Sequence, residues 1–141
     1  MITHRLPFKQ MLLAYACVLT VLCIFAQIVV AVKGDDVGAM SALALLPAFF
    51  YYLYFNSRAS SKLNRVRFGK LITHFITFLI VNLSYHIHAA IVVNHANNTM
   101  TLPSGWYGVL FGMFVIWGIA LAIHTVISIA NSGFEELDVR S

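Results

Sequence analysis

Residues 71–93 have the sequence LITHFITFLIVNLSYHIHAAIVV, and residues 106–130 have the sequence WYGVLFGMFVIWGIALAIHTVISIA. As helices rising about 1.5 Å per residue, both stretches are long enough to cross the roughly 30 Å hydrocarbon core of a bilayer. Each carries a histidine, His74 early in the first and His124 late in the second. Titratable side chains are costly at that depth and usually mark a functional site, so this hairpin is the starting point for fold and function.

The composition of the whole chain agrees with a membrane protein. Of its 141 residues, 60% are hydrophobic and 10% are charged, whereas soluble domains carry about 25% charged residues. The sequence therefore predicts an all-α integral membrane protein, a four-transmembrane-helix bundle with spans at 11–32, 37–55, 71–93 and 106–130. Residues 1–64 would form an N-terminal hairpin with a basic loop, and residues 65–141 a second hairpin with a short acidic tail.

Basic residues predict the orientation of these spans. Eight of the nine Lys and Arg residues lie in the N-terminus, in the loop 56–70 or in the tail, and Lys33 is the exception. Because such residues stay on the cytoplasmic side, both termini are expected to be cytoplasmic. The net charge of +4 is concentrated beside apolar spans, which indicates contact with anionic lipid and not with nucleic acid.

Cys17 and Cys23 form no CxxC pair, so neither a redox pair nor a zinc site is predicted.

The second span combines a proline with a run of aromatic residues. Pro47 lies near its middle and is expected to kink the helix, since proline removes a backbone donor. Six of the seven residues in 49–55 are aromatic, which is typical of the belts found at membrane surfaces. A wall for a planar cofactor or a quinone is the alternative interpretation.

The third span has a polar face. At 100° per residue, five polar side chains fall on one broad side of the helix: His74, Thr77, Asn82, Tyr85 and His88. Such a face is expected to point into a bundle and away from lipid.

The fourth span carries one polar face and two pairs of small residues. Trp117 lies on the same side as His124, and the small pairs are Gly108 with Gly112 and Gly118 with Ala122. Small residues let helices approach closely, so this helix is expected to pack on two sides. The antiparallel arrangement predicts that His74 meets His124, and that the Trp117 indole N–H donates to the Asn82 side chain.

These residues also resemble a known family, the bacterial two-transmembrane domain family, over about Arg65–Ile129. The matching positions are Phe78, Val81, Asn82, Trp117, Gly118, Leu121 and His124, whereas Leu71 replaces an expected aromatic residue and Ala120 an expected glycine. The family occurs alone and attached to signalling proteins such as histidine kinases. The resemblance implies a multi-pass protein of the bacterial inner membrane with a sensory role, and it implies no reaction.

Three interpretations of the histidines remain open. The pair His74 and His124 could be structural, or the two imidazoles could be the axial ligands of a b-type haem, with zinc or copper as weaker candidates. His88 is a weak further metal ligand, and together with His86 and His95 it could bind a metal or respond to pH. The candidate cofactor-binding residues are His74, His124, Asn82, Tyr85 and Trp117.

The sequence thus favours a binding, sensory or accessory protein embedded in the lipid bilayer, working as a homodimer or with another membrane protein. Its site would be the histidine face of spans 3 and 4. The alternative is a haem-carrying electron-transfer protein with His74 and His124 as axial ligands; otherwise no cofactor is expected. An enzyme is not predicted, because no nucleophile–base pair is legible and all acidic residues lie outside the spans.

Overall fold

The described part of the chain, residues 7–35, 37–95 and 102–135 of a computed structural model, is entirely helical apart from short turns. The elements are α1 (Phe8–Val32), α2 (Ala39–Leu63), α3 (Gly69–His95), α4 (Ser104–Tyr107), a π-helical segment (Gly108–Met113) and α5 (Phe114–Glu135). Residues Gly105–Ala130 form one apolar run, here called the fourth span. Together with α1, α2 and α3 it makes four helices long and apolar enough to cross a membrane. This confirms the all-helical class and the number of candidate spans.

Several expectations concern residues that lie outside the described part. These residues are 1–6, residues 96–101 of the segment 94–105 between the third and fourth spans, and the acidic tail after Glu135. The short turn after α1 is present as predicted. It runs through Gly34 and Asp35, which both have positive φ angles, of 76° and 60°. Asp tolerates this left-handed conformation better than most residues other than glycine.

The second helix is longer than the sequence indicated. Polarity after Phe55 suggested a loop over 56–70, but α2 continues to Leu63 and the connection to α3 is only 64–68. Arg58 and Lys62 are therefore helical. Both residue types have high helix propensity, and a drop in hydropathy does not by itself end a helix.

The aromatic run of α2 is divided between two environments. Phe49, Phe50 and Tyr54 are exposed, whereas Tyr51 and Phe55 stack on Tyr15 of α1, with ring centroids 5.5 and 4.1 Å away. Because α2 continues to Leu63, the aromatic run 49–55 lies near the middle of the helix and not at its end. One side of the run consequently forms part of the core.

The core is a packed unit of α1, α2 and α3. One stripe of α1 is buried, with a spacing of three or four residues: Met11, Tyr15, Leu19, Cys23, Ala26 and Val30. Such spacing keeps the side chains on one helical face. The Tyr15 hydroxyl is 2.6 Å from Thr77 Oγ1 of α3. Tyr15 therefore joins all three helices.

The fourth span packs along α3 and adds Trp106 and Leu110 to the core, whereas many of its other apolar side chains are exposed. A Cβ atom added at Gly108, Gly112 or Gly118 would meet no atom within 4 Å. The expectation that this helix packs on two sides is therefore wrong within one chain. The small residues identify a face that can approach another helix closely, but they do not say which helix occupies it.

The helical unit has two ends with different chemistry. The basic-loop end carries residues 64–68 and the neighbouring cations of α2 and α3. The Asp35 end carries the turn between α1 and α2 and the start of the fourth span.

Candidate functional site

The structure brings His74 and His124 together near the basic-loop end. Their rings stack face to face, with centroids 4.9 Å apart and an angle of 15° between their planes. The Tyr52 hydroxyl of α2 is 2.6 Å from His74 Nδ1. The predicted meeting of the two histidines is confirmed, and Tyr52 is an addition that the sequence analysis did not identify. We call Tyr52, His74 and His124 the histidine site.

A small cavity of about 80 Å³ adjoins the histidine site. Its lining consists of Tyr52, His74, Thr77, Phe78, Trp117, Ala120, Leu121 and His124. His74 is partly buried and His124 is exposed within a single chain. Because Tyr52 occupies Nδ1 of His74, Nε2 is the nitrogen that this ring offers to a ligand. A cavity measured in this way needs about 10–15 Å³ to hold one water molecule, so this cavity has room for several waters or for a hydrated ion.

The five predicted cofactor-binding residues are not all in one place. Trp117 lines the cavity beside the two histidines. Tyr85 instead packs against Trp106 at the Asp35 end, with ring centroids 6.4 Å apart. The Asn82 amide N–H donates to the Phe78 carbonyl of its own helix at 2.8 Å. Among the described residues no hydrogen bond joins Trp117 to Asn82, so the expected bond is wrong. A carbonyl one turn away is always within reach of such a side chain, whereas a partner on another helix requires a matching depth and rotation.

This arrangement of the histidines does not fit a haem. Axial imidazoles point their nitrogens at the iron from opposite faces of the porphyrin, but here the two rings lie parallel with no gap between them. Sites for organic ligands measure roughly 300–1,000 Å³, several times the volume of this cavity. A haem would require the fourth span to move away from α3.

A second polar cluster, at the Asp35 end, is centred on His88. Its Nδ1 is 2.8 Å from Gln27 Oε1 of α1, and its Nε2 is 3.0 Å from the Asp35 carboxylate in the turn. Both ring nitrogens thus have an oxygen partner, one on α1 and one in the turn. Only 8% of His88 is exposed. His88 is therefore engaged as a bridge between helices and not as a free metal ligand.

Trp106 completes this cluster, which we call the His88 cluster. The Trp106 side chain is fully buried, and its indole N–H donates to the Asp35 carbonyl at 2.8 Å. Its ring also meets the edge of the His88 ring, with centroids 5.2 Å apart. The cluster thereby attaches the start of the fourth span to the turn and to α3.

Two further histidines of α3, His86 and His95, do not join His88. His86 and His95 each bond the carbonyl four residues earlier in their own helix. Within residues 7–35, 37–95 and 102–135, no group of three or more His, Cys, Asp or Glu residues is placed to hold a metal ion. The described residues therefore provide no geometric basis for the metal site that was predicted at His86, His88 and His95.

The sequence contains only a weak signal for the His88 cluster. Gln27 is one of two polar breaks in the predicted span 11–32, the other being Thr20, and Asp35 lies in the short gap between the predicted spans 11–32 and 37–55. An isolated amide inside an apolar helix requires a partner, and this could have directed attention to Gln27. Which residue serves as the partner depends on how α1 packs against α3.

His88→Leu is expected to lower the free energy of unfolding by about 2 kcal/mol. The substitution removes the two hydrogen bonds that His88 makes to Gln27 and to Asp35, and each such bond contributes about 0.5–1.5 kcal/mol. His86→Leu is the matched control, since His86 is exposed and bonds only its own helix. The measurement is an SDS titration in mixed micelles followed by circular dichroism. Equal effects of the two substitutions would contradict the bridging role.

Comparison with known proteins gives no relative. No protein-family model, no curated protein and no solved structure matches the chain. The resemblance of Arg65–Ile129 to the two-transmembrane domain family accordingly stays a prediction.

Proposed function

We propose that this chain is a small multi-pass membrane protein of the bacterial inner membrane with a binding or sensory function, and that the histidine site is where it binds its signal. The supporting observation is the stacking of His74 on His124 beside a cavity that suits only small species. Its volume favours a proton or a hydrated metal ion over an organic molecule.

A proton is the signal that this site suits best. Imidazole changes charge near neutral pH, and two donors from histidine are fewer than the three or four protein ligands of ordinary zinc sites. Two imidazolium rings 4.9 Å apart would repel each other by about 3 kcal/mol at an effective dielectric constant of about 20. Full protonation therefore opposes the stacking of the fourth span on α3.

The packing of the fourth span would turn this repulsion into movement. The span is attached at the Asp35 end through Trp106 and otherwise packs along α3. Between the attachment and His124 lies the π-helical segment Gly108–Met113. Such segments are irregular points in helices and often occur at functional sites. The end that carries His124 can consequently separate from α3 while the end that carries Trp106 stays in place.

Distances between spin labels test this proposal. One label pair, at Phe75 and Val126, reports on the basic-loop end, and a control pair, at Ile87 and Phe111, reports on the other end; all four side chains are exposed. We expect the first distance to lengthen between pH 8 and pH 5 and the control distance to stay constant. His124→Gln should abolish the change, because it leaves one titrating ring. A change that persists in His124→Gln, or no change in the parent protein, would overturn the proposal.

The alternative function is electron transfer by a b-type haem held between His74 and His124. It requires the opening described above, because the stacked rings leave no space for a porphyrin. Purified protein supplied with haem is expected to show no Soret band in its visible spectrum. A band that disappears in both His74→Ala and His124→Ala would instead favour the haem protein.

We also propose that the exposed face of the fourth span binds a helix of another protein chain. The open space beside Gly108, Gly112 and Gly118 supports close packing by a helix of a second copy or of another membrane protein. Energy transfer between two differently labelled copies in vesicles distinguishes these two partners.

A further inference from the structure

A trough of about 500 Å³ runs between α1 and α3 on the outside of the core. Its walls are large apolar side chains that are each about half exposed: Ile24, Ile28, Leu83, Ile87 and Ile91. Both helices are long and apolar enough to cross a membrane. The trough therefore opens toward the hydrocarbon phase, and a hydrocarbon chain is the material available to fill it.

The floor of this trough is polar, which is unusual for a surface that faces lipid. Cys23, Gln27, Ser84 and His88 line it. Gln27 Nε2 donates to Ser84 Oγ at 3.3 Å, longer than the 2.9–3.0 Å of most N–H···O bonds. An acceptor oxygen from a lipid-phase molecule would give the amide a stronger partner.

The dimensions of the trough match one leaflet of a bilayer. Its lining extends from Thr20 to Ala31 on α1 and from Ile80 to Ile91 on α3, about 16 Å of helix at 1.5 Å per residue. Half of a hydrocarbon core is about 15 Å. Gln27 lies five residues before the end of α1 at Val32, so about 7 Å below that end. This position suits an ester oxygen near a headgroup, with its chain extending toward Thr20.

A second groove provides a comparison within the same protein. It lies between α3 and the fourth span, has a volume of about 430 Å³ and is lined by Leu71, Ile72, Phe75, Gly118, Leu121, Ala122 and Thr125. Its one hydroxyl, Thr125, donates to the Leu121 carbonyl at 2.8 Å. The two grooves are thus similar in size and hydrophobic character, but only the trough has a polar floor.

We propose that the trough is a binding site for one acyl chain of a membrane glycerolipid, whose ester carbonyl accepts a hydrogen bond from the Gln27 amide. The apolar walls hold the chain, and the amide fixes its depth. This site is separate from the histidine site and does not depend on the proposed proton response.

Photocrosslinking of a lipid tests this inference. The full-length protein is placed in phosphatidylcholine nanodiscs that contain a trace of phosphatidylcholine with a diazirine on one acyl chain, and labelled residues are mapped by mass spectrometry. We expect several-fold more label on 20–31 and 80–91 than on 71–75 and 118–125. Gln27→Leu should reduce the excess to the level of the second groove. Circular dichroism verifies that the variant remains helical.

Two further variants keep the test decisive if Gln27→Leu fails to fold. Ile28→Trp fills the trough from an exposed wall position and should abolish its labelling, whereas Leu121→Trp in the second groove should leave it unchanged. Equal labelling of the two grooves, or labelling of the trough that survives Ile28→Trp, would overturn the proposal. Displacement of the probe by a short-chain quinone but not by excess unlabelled phosphatidylcholine would assign the trough to a quinone and also overturn it.

Discussion

Trp106→Ala is expected to lower the free energy of unfolding by about 3 kcal/mol, since removing a buried tryptophan costs about 3–5 kcal/mol. We expect the lower end of this range because no hydrophobic driving force brings helices together in lipid. Packing and hydrogen bonding then account for the stability that Trp106 contributes. The Trp106 side chain is fully buried, contacts the rings of Tyr85 and His88 and donates to the Asp35 carbonyl. Its loss would detach the fourth span at the Asp35 end.

Two control variants separate the contributions of packing and hydrogen bonding at Trp106. Trp106→Phe retains most of the ring volume and removes the N–H donor, so we expect a loss of about 1 kcal/mol, in the range for hydrogen bonds between membrane helices. Phe111→Ala removes an aromatic ring that is 65% exposed and should cost less than Trp106→Phe. SDS titration monitored by circular dichroism measures all three. Equal losses for Trp106→Ala and Phe111→Ala would show that Trp106 does not anchor the span.

Gly69→Ala is expected to cost about 2–3 kcal/mol, the upper part of the range for overpacking. A Cβ atom at this position would lie 2.3 Å from the Leu63 carbonyl oxygen and 3.1 Å from Leu63 Cα. These are backbone atoms at the end of α2, so they cannot turn aside as a flexible side chain does. The turn 64–68 would have to open, and with it the packing of α2 on α3.

Gly118→Ala is the matched control for Gly69→Ala. A Cβ atom at Gly118 meets nothing within 4 Å, and replacing glycine with alanine inside a helix contributes up to about 1 kcal/mol. In micelles that hold single copies, we therefore expect opposite signs for the two substitutions. A loss at Gly118 as large as that at Gly69 would show that backbone crowding is not the reason for the glycine at position 69.

How much of the histidine site could be predicted depended on whether its members lie on one predicted hairpin, and not on how far apart they are in the sequence. His74 and His124 lie on the two spans of one hairpin, and their similar distance from its basic-loop end was enough to predict their meeting, which the stacked rings confirm. Tyr52 comes from α2, and its contact with His74 depends on how α2 is rotated against α3. Residues 49–55 contain six aromatic side chains, and helical periodicity alone does not identify which of them faces the histidines.

The sequence by itself determined the class of this protein: four apolar stretches of membrane length, separated by more polar segments and marked by basic residues. That information is local, because the length and hydropathy of each stretch suffice for it. Only the tertiary structure decided that the fourth span packs along α3 and enters the core through Trp106 and Leu110, and that Gln27, Asp35 and Trp106 meet at His88. These contacts join residues 53, 61 and 71 positions apart. The depth and rotation of one helix against another fix such contacts, and neither quantity is encoded in the pattern of a single helix.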